Sequence, residues 1–311
     1  MTIHTALVED RGVLRVAGED AASFLQGLLT NDVAGLAVGQ ARYAALLTPQ
    51  GKILFDFLVL RVPAVSGAAF LIDCPAAQTG DLAKRLGFYR LRAKVAISDE
   101  SARLVVLAVW DDSGSFLQPS TGMAGTSQAE TDGAAEQTSY ADPRDPRLGA
   151  RAVLSRAQAA GLADCGAAAY EAHRIKLGVP KGGVDFAYAD IFPHDANLDL
   201  LHGVDFTKGC YVGQEVVSRM RHRGGVRKRI VRLVVTGAAP EPGTAVLAGE
   251  TPVGTLGSAA AGRALALVRL DRVEEAHGSG QALTAGGVGV EIEAARSENG
   301  TSPSASISAD L

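Results

Sequence analysis

The sequence predicts an α+β fold closed by a small all-β domain. Three observations carry this reading. Period-2 apolar runs and short helical stripes are mixed between Val13 and Trp110, the pattern of packed hairpins and helices rather than of a regular parallel sheet. Helical patterns return at Cys165 to Leu177 and at Val212 to Met220 after a polar stretch. From Arg229 on, short apolar runs are separated by glycine-rich turns, the signature of a sandwich or barrel.

Val13-Leu-Arg-Val16 alternates like a strand, and Asp20 offers an N-cap to a helix with the apolar stripe Phe24, Leu25, Leu28 and Leu29. Thr30-Asn31-Asp32 ends that helix. Arg42 to Leu47 and Lys52 to Val62 read as two strands of a hairpin. They join at Thr48-Pro-Gln-Gly51, which has Pro and Gly at the second and fourth turn positions. Ala68 to Asp73 is a further strand, after which Pro75 opens a helix that stops at Gly87. Strands at Lys94 to Ser98 and Arg103 to Trp110 complete a first unit, residues 1–110. Residues 111–146 are rich in Ser, Thr, Gly, Ala and acids and read as a flexible insert. Residues 147–228 form a second unit. It holds the Cys165 to Leu177 helix closed by Gly178 and Pro180, an irregular run to Gly209, and the Val212 to Met220 helix. Residues 229–294 are the β-domain, with strands at Ile230 to Val235, Ala264 to Leu270 and Val288 to Ile292. Residues 295–311 form a Ser-rich tail with too few apolar residues to pack.

Composition narrows the function. Hydrophobic residues are 47% of 311, enough for sizeable cores, and a net charge of −4 gives no global signal for nucleic acid or a membrane surface. No apolar stretch approaches the ~20 residues of a membrane helix. Met1 to Arg11 does not resemble a secretory signal, so the expected location is the cytoplasm. The three cysteines, Cys74, Cys165 and Cys210, contain no Cys-x-x-Cys pair. That argues against a disulfide framework and against a self-contained four-cysteine cluster site. A cluster held here would need ligands from outside or from residues other than cysteine.

Four constellations could carry chemistry. Lys208-Gly-Cys-Tyr-Val-Gly-Gln-Glu215 puts Cys210 in a glycine-flanked loop before a helix, near a cation, the surroundings that favour thiolate; a small buried filler is the competing reading. Tyr170, His173, Arg174 and Leu177 share a helix face. That face would offer a ring to a flat heterocycle and a cation to a carboxylate, or serve as an ordinary interface. The stretch Arg219, Arg221, His222, Arg223, Arg227, Lys228, Arg229 and Arg232 contains no acid. It suits phosphates, carboxylates, RNA or an acidic partner, but lacks the interleaved aromatics of base stacking. Asp56 and Asp185 are candidate acids for a ligand amine and equally plausible turn residues. In Phe192-Pro-His-Asp-Ala-Asn-Leu198, His194, Asp195 and Asn197 lack metal-site spacing, and Asx-turn chemistry accounts for them.

The order of these pieces resembles a known family. Lys208-Gly-Cys-Tyr-Val-Gly-Gln-Glu215 is similar to the signature of the YgfZ-type folate-binding proteins and their mitochondrial iron–sulfur relatives. Phe24-Leu-Gln-Gly-Leu28, Thr30-Asn-Asp32, Pro49-Gln-Gly-Lys52, Gly178-Val-Pro180 and Ala196-Asn-Leu198 follow the same order. The resemblance implies the glycine-cleavage T-protein fold, three subdomains around a central folate cavity with a C-terminal β-barrel. It implies a tetrahydrofolate-binding accessory role in assembly or repair of [4Fe-4S] proteins, tRNA-modifying enzymes among them. Iron–sulfur carrier or client proteins are the implied partners, and direct nucleic-acid binding is not expected. On the same basis Cys210 is the catalytic thiol and the candidate contact to a transient cluster, and Lys208 helps keep it ionised. Folate contacts are expected from Tyr170, Arg174, Asn31, Asp32, Asp56, Asp185, Gly209, Tyr211, Gly213, Gln214 and Glu215. Two departures are informative. A position near Arg11, aromatic in the family, is not aromatic here, and the tandem acids of the aminomethyltransferases are replaced by Phe55-Asp56. The second favours a maturation factor over a tetrahydrofolate-dependent aminomethyltransferase, the main alternative; an RNA-associated protein is the third.

Overall fold

A computed structural model describes residues 2–112, 138–223 and 226–293. Its first sheet has five strands in the order Ala41–Leu47, Ile53–Val62, Ala68–Pro75, Arg11–Gly18 and Ala96–Asp99. The Ala41–Leu47 and Ile53–Val62 strands pair antiparallel as expected. The tip between them is the expected turn, with the Gly51 N–H donating to Thr48 O at 2.9 Å and Gly51 at φ +81°. Helices Ala21–Gln26 and Thr79–Arg90 cover one face, burying Leu25, Leu82 and Leu86 against Leu14, Phe57, Phe70 and Ile72.

Two local details differ from the sequence reading. Asp20 makes no side-chain cap, and its carboxylate accepts the Lys94 N–H instead, at 2.8 Å. The second helix does not stop at Gly87 but continues to Arg90, where Leu86 before the glycine is buried and Tyr89 beyond it packs on the same core.

A second sheet orders Ile3–Leu7, Leu104–Asp111, Ala150–Ser155 and Thr138–Ala141. Its strands come from both sides of the proposed insert, so the two units share a sheet. The last part of the stretch read as an insert has regular structure. Thr138–Ala141 is a strand paired with Ala150–Ser155, and Asp142 is buried just beyond it. Residues 113–137 and the 295–311 tail lie outside the described residues. The Ala167–Leu177 helix ends as predicted at Gly178, which is left-handed at φ +80° with the Val179 N–H returning to Arg174 O. Cys165 precedes this helix and forms a parallel bridge with Ala6. The predicted Val212 helix begins at Gln214 and runs to Arg223.

The C-terminal part is a closed barrel of Lys228–Val235, Arg263–Arg269, Thr251–Ala260, Ala245–Ala248, Leu283–Ala285 and Val288–Ile292. A helix, Leu270–Gly278, which the all-β pattern did not predict, plugs against it through Val273 and Ala276. One core, with Tyr43, Leu58, Leu71, Tyr140, Ile175, Phe186, Tyr211, Ile230 and Leu265 among its residues, joins the three parts.

Candidate functional site

The loop from Asp205 to Gln214 is fastened at both ends of its cysteine. Upstream, Asp205 Oδ1 accepts the Thr207 and Lys208 N–H groups. The Lys208 ammonium then crosses to the end of the Ala21–Gln26 helix and donates to three carbonyls, Gln26, Leu29 and Asn31, at 2.8, 2.6 and 2.8 Å. Gln26 is the last residue of that helix, whose carbonyl the helix end leaves without an internal partner, and Leu29 and Asn31 lie in the chain just beyond it. Burial lowers Lys208 to about 8, while Asp32 and Asp205 pull the other way. Downstream, Tyr211 is buried with Lys208 Nζ 5.3 Å from its ring centre, and burial pushes its hydroxyl up to about 12. Gly213 (φ +83°) lies so close to the hairpin tip that a Cβ there would meet Thr48 O at 2.6 Å; a Cβ on Gly51 would meet Val216 Cβ at 3.0 Å. Two motif pieces far apart in sequence, the Pro49-Gln-Gly51 tip and the octapeptide, are therefore one interlocked unit.

Between these anchors Cys210 is exposed, and nothing lies within 4 Å of a Cβ placed on Gly209. The buried-filler reading of Cys210 is thereby removed. The expected electrostatic support is not as drawn from sequence, however. Lys208 is engaged by carbonyls, and the helix starts four residues after Cys210, at Gln214. Glu215 is on the surface and pairs with Arg219 at 2.8 Å.

A cavity of about 1560 Å³ opens where the three parts meet, lined among others by Asn31, Arg42, Tyr140, His194, Phe206 and Arg221. Ordinary small-ligand pockets hold ~300–1,000 Å³, so there is room for a large ligand. Asn31 donates to Tyr43 O and His202 O at 2.8 and 2.6 Å, which fixes that wall. His194 is 2% exposed, and both its ring nitrogens lack a hydrogen-bond partner. Burial lowers its pKa, so it stands neutral at pH 7, against Phe206 at 5.9 Å between ring centres. The Arg221 guanidinium lies over the Phe206 ring, 4.1 Å from its centre. Arg227 also lines the cavity, as do the acids Asp271 and Glu274. Asp271 is paired with Arg269 at 2.6 Å.

Of the eleven predicted folate contacts only Asn31 lines this cavity; Asp32 and the loop residues Gly209, Tyr211, Gly213, Gln214 and Glu215 lie outside the lining, and the other four are engaged within the fold. Tyr170 is 3% exposed, packed on Trp110 with its hydroxyl accepting from Arg151 and Arg144 at 2.7 and 3.2 Å. Arg174 bridges Asp185, Glu171 and Ser258 at 3.0, 2.7 and 2.8 Å, tying its helix to the barrel. Asp185 also accepts the Lys181 and Ser258 N–H groups. Asp56 accepts from the Tyr43 and Tyr188 hydroxyls at 2.9 and 2.5 Å. The spacing that put Tyr170 and Arg174 on one face was right, but that face is buried. The basic stretch is partly neutralised too, since Arg229 pairs with Asp199 at 2.6 Å and Arg232 lies 3.8 Å from Glu293. Arg42, Tyr140, His194 and Phe206 were not expected as cavity residues. Only the His194 segment gave a local signal, and its turn chemistry explained it fully: Asp195 does accept the Phe192 N–H at 3.0 Å.

The fold and this site define a T-protein-like architecture. Residues 8–130 match the model of the GCVT N-terminal domain, and residues 227–297 match that of the CAF17 C-terminal beta-barrel domain. The glycine cleavage system aminomethyltransferase T from Bartonella henselae superposes with a TM-score of 0.70 over 94% of this chain and 85% of that one. At 17% identity this is a likeness of fold alone. Sequence relatives are more specific. The iron–sulfur cluster assembly factor IBA57, mitochondrial, of Mus musculus is 34% identical over 76% of this chain and 67% of its own length. The Mycosarcoma maydis homolog is 39% identical over 73% of this chain and 56% of its own length, and the Homo sapiens protein 35% identical over 72% and 64%. The chain spans between about half and two thirds of the curated relatives it matches. It belongs to the IBA57 family of iron–sulfur cluster assembly factors.

Proposed function

We propose that the protein acts in the assembly or repair of [4Fe-4S] proteins, presenting Cys210 to a cluster or thiol of an iron–sulfur carrier or client, tRNA-modifying enzymes among the clients. The observation that carries this is the exposure of Cys210 on a loop immobilised on both sides, by Lys208 and by Gly213. A thiol fixed in this way meets a partner without first ordering its own loop, which lowers the entropy cost of docking. A transient cluster at Cys210 would need its remaining ligands from the partner.

The cavity would hold tetrahydrofolate or a derivative. Its size, the partnerless buried nitrogens of His194, the Phe206 ring and the cations Arg42, Arg221 and Arg227 fit a ligand with a flat polar head and a carboxylate tail. Bound, a reduced folate supplies a one-carbon carrier. The chain's own part is to orient it, with Asn31 on the fixed wall. Tyr170 is not part of this reading. The aminomethyltransferase alternative is weaker, because Asp56 and Asp185, its candidate acids, are both engaged by internal donors.

The test is complementation of a deletion strain assayed for several [4Fe-4S] enzymes beside glycine-dependent one-carbon flux. Cys210→Ser should fold normally and fail to restore the enzymes, with one-carbon flux untouched. Full restoration would make the thiol structural. Calorimetric titration should find one tetrahydrofolate site, weakened by Phe206→Ala, and absence of binding by any reduced folate removes the cavity assignment.

A further inference from the structure

We propose that His4, Asp164 and Cys165 form a second, separate site that binds a divalent transition-metal cation of borderline softness. A ligand-capable atom of each residue lies within 4.8 Å of those of the other two. Bonds of ~2.0–2.3 Å to a tetrahedral ion set ligand atoms roughly 3.5 Å apart, so modest side-chain rotation closes the set. No cavity-lining residue belongs to it, nor does Cys210.

The backbone holds two of the three ligands in place. The Asp164 and Cys165 N–H groups both donate to Thr5 O, at 3.0 and 3.1 Å, and Cys165 pairs with Ala6 as a parallel bridge beside the Ile3–Leu7 strand. The Thr5 N–H returns a bond to Asp164 Oδ1 at 2.7 Å, which fixes the carboxylate. His4 stands on that strand with its ring 5.5 Å from the Trp110 ring centre, and its Nε2 is 3.0 Å from Asp112 Oδ2. A carboxylate beside the imidazole is the usual companion of a metal-ligating histidine. The donor set decides the ion class. Nitrogen, sulfur and oxygen together suit Zn2+ and its first-row neighbours; Ca2+ and Mg2+ take oxygen alone. Three protein ligands leave one position open.

The test uses the full chain without an affinity tag, stripped with EDTA. Zn2+ should bind with one-to-one stoichiometry in the micromolar range by calorimetry, and Co2+ should give a thiolate-to-cobalt charge-transfer band in the near ultraviolet. Cys165→Ser should abolish the band and Cys210→Ser should keep it. His4→Gln should weaken Zn2+ at least tenfold, and Asp112→Asn about tenfold, as outer-shell carboxylates do. Should Cys165→Ser fold poorly, protection answers the same question in the native chain: Zn2+ should slow alkylation of Cys165 at least tenfold while leaving Cys210 unaffected. No stoichiometric binding, a band that survives Cys165→Ser, or a band lost with Cys210→Ser would each overturn the site.

Discussion

Lys208→Met separates two accounts of the octapeptide. In one, the lysine keeps Cys210 ionised. In the other, which the geometry favours, it fastens the loop to the end of the Ala21–Gln26 helix through three carbonyls at 2.6–2.8 Å. Methionine retains most of the apolar stem and deletes the ammonium, with its approach to the Tyr211 ring. A hydrogen bond to a charged donor contributes ~1.5–3 kcal/mol. Three bonds to one ammonium are not independent, and water reaches a half-buried site, so the net loss is about 2–4 kcal/mol. At roughly 2–4 °C per kcal/mol for a chain of this order, the melting temperature should fall by roughly 4–16 °C. The alkylation rate of Cys210 in the folded protein, measured well below the transition, should stay within about twofold of wild type, since the ammonium points elsewhere. A variant that melts with the wild type while its Cys210 alkylation drops tenfold would refute the fastening account.

Other outcomes follow from the same coordinates. Cys210 should alkylate first and Cys165 more slowly. Cys74 should react only on unfolding, because burial pushes its thiol to about 11; early labelling of Cys74, read by peptide mass, would contradict its place in the core. Tyr170→Phe removes the hydroxyl that accepts from Arg151 and Arg144 and should cost ~1–3 kcal/mol in urea unfolding. It should leave tetrahydrofolate affinity unchanged, and a large loss of affinity would return Tyr170 to the cavity. Burial lowers His194 below its ordinary 6.5, so the unfolded chain takes up the proton first as pH falls and stability is lost below about pH 6.5. His194→Gln should flatten the melting-temperature decline between about pH 7 and 5, with His173, lowered likewise, supplying the remaining slope. An unaltered slope would show that His194 does not carry it. Gly213→Ala combines a positive φ with a 2.6 Å approach to Thr48 O and should cost ~1–3 kcal/mol or more. Wild-type stability there would mean that loop and hairpin tip do not interlock.

How much was legible in the sequence depended on how local the signal was. The hairpin turn, the helix stop at Gly178 and the closing β-domain rest on residues next to one another, and each was found. The strand Thr138–Ala141 was hidden because its residues, Thr, Ser, Tyr and Ala, read as loop. What makes them a strand is long-range: Tyr140 is 2% exposed and donates to Asp73 at 3.2 Å. The Lys208–Cys210 proximity failed for the converse reason. Adjacency along a chain does not set side-chain direction, and in this loop the ammonium leaves for carbonyls some 180 residues away in sequence while the thiol faces solvent. Most of the cavity residues gave no signal because a cavity at the junction of three parts has no sequence period.

The charges around that junction fall into two groups with different consequences. Behind the wall, Arg11 and Arg151 share Asp73 at 2.5 and 2.7 Å, and Arg144 and Arg151 share Asp142 at 2.7 and 3.0 Å. The arginines hold both carboxyls below the ordinary range in spite of burial. Asp56 also acts on Arg11 through space, so three guanidinium groups face three carboxylates and the wall carries no free acid. Removing one member would strand a buried charge, which costs far more than the pair itself contributes; the network therefore resists substitution without offering chemistry. At the cavity surface Arg42, Arg221 and Arg227 form no ion pair within 4.0 Å among the described residues. These three cations stand beside the acids Asp199, Asp205, Asp271 and Glu274 in the same lining, so the cavity presents both signs of charge to a ligand. With Asp56 and Asp185 engaged by internal donors, the proposed accessory role is favoured over a transferase, and the exposed thiol of Cys210 is the group proposed to act on a partner.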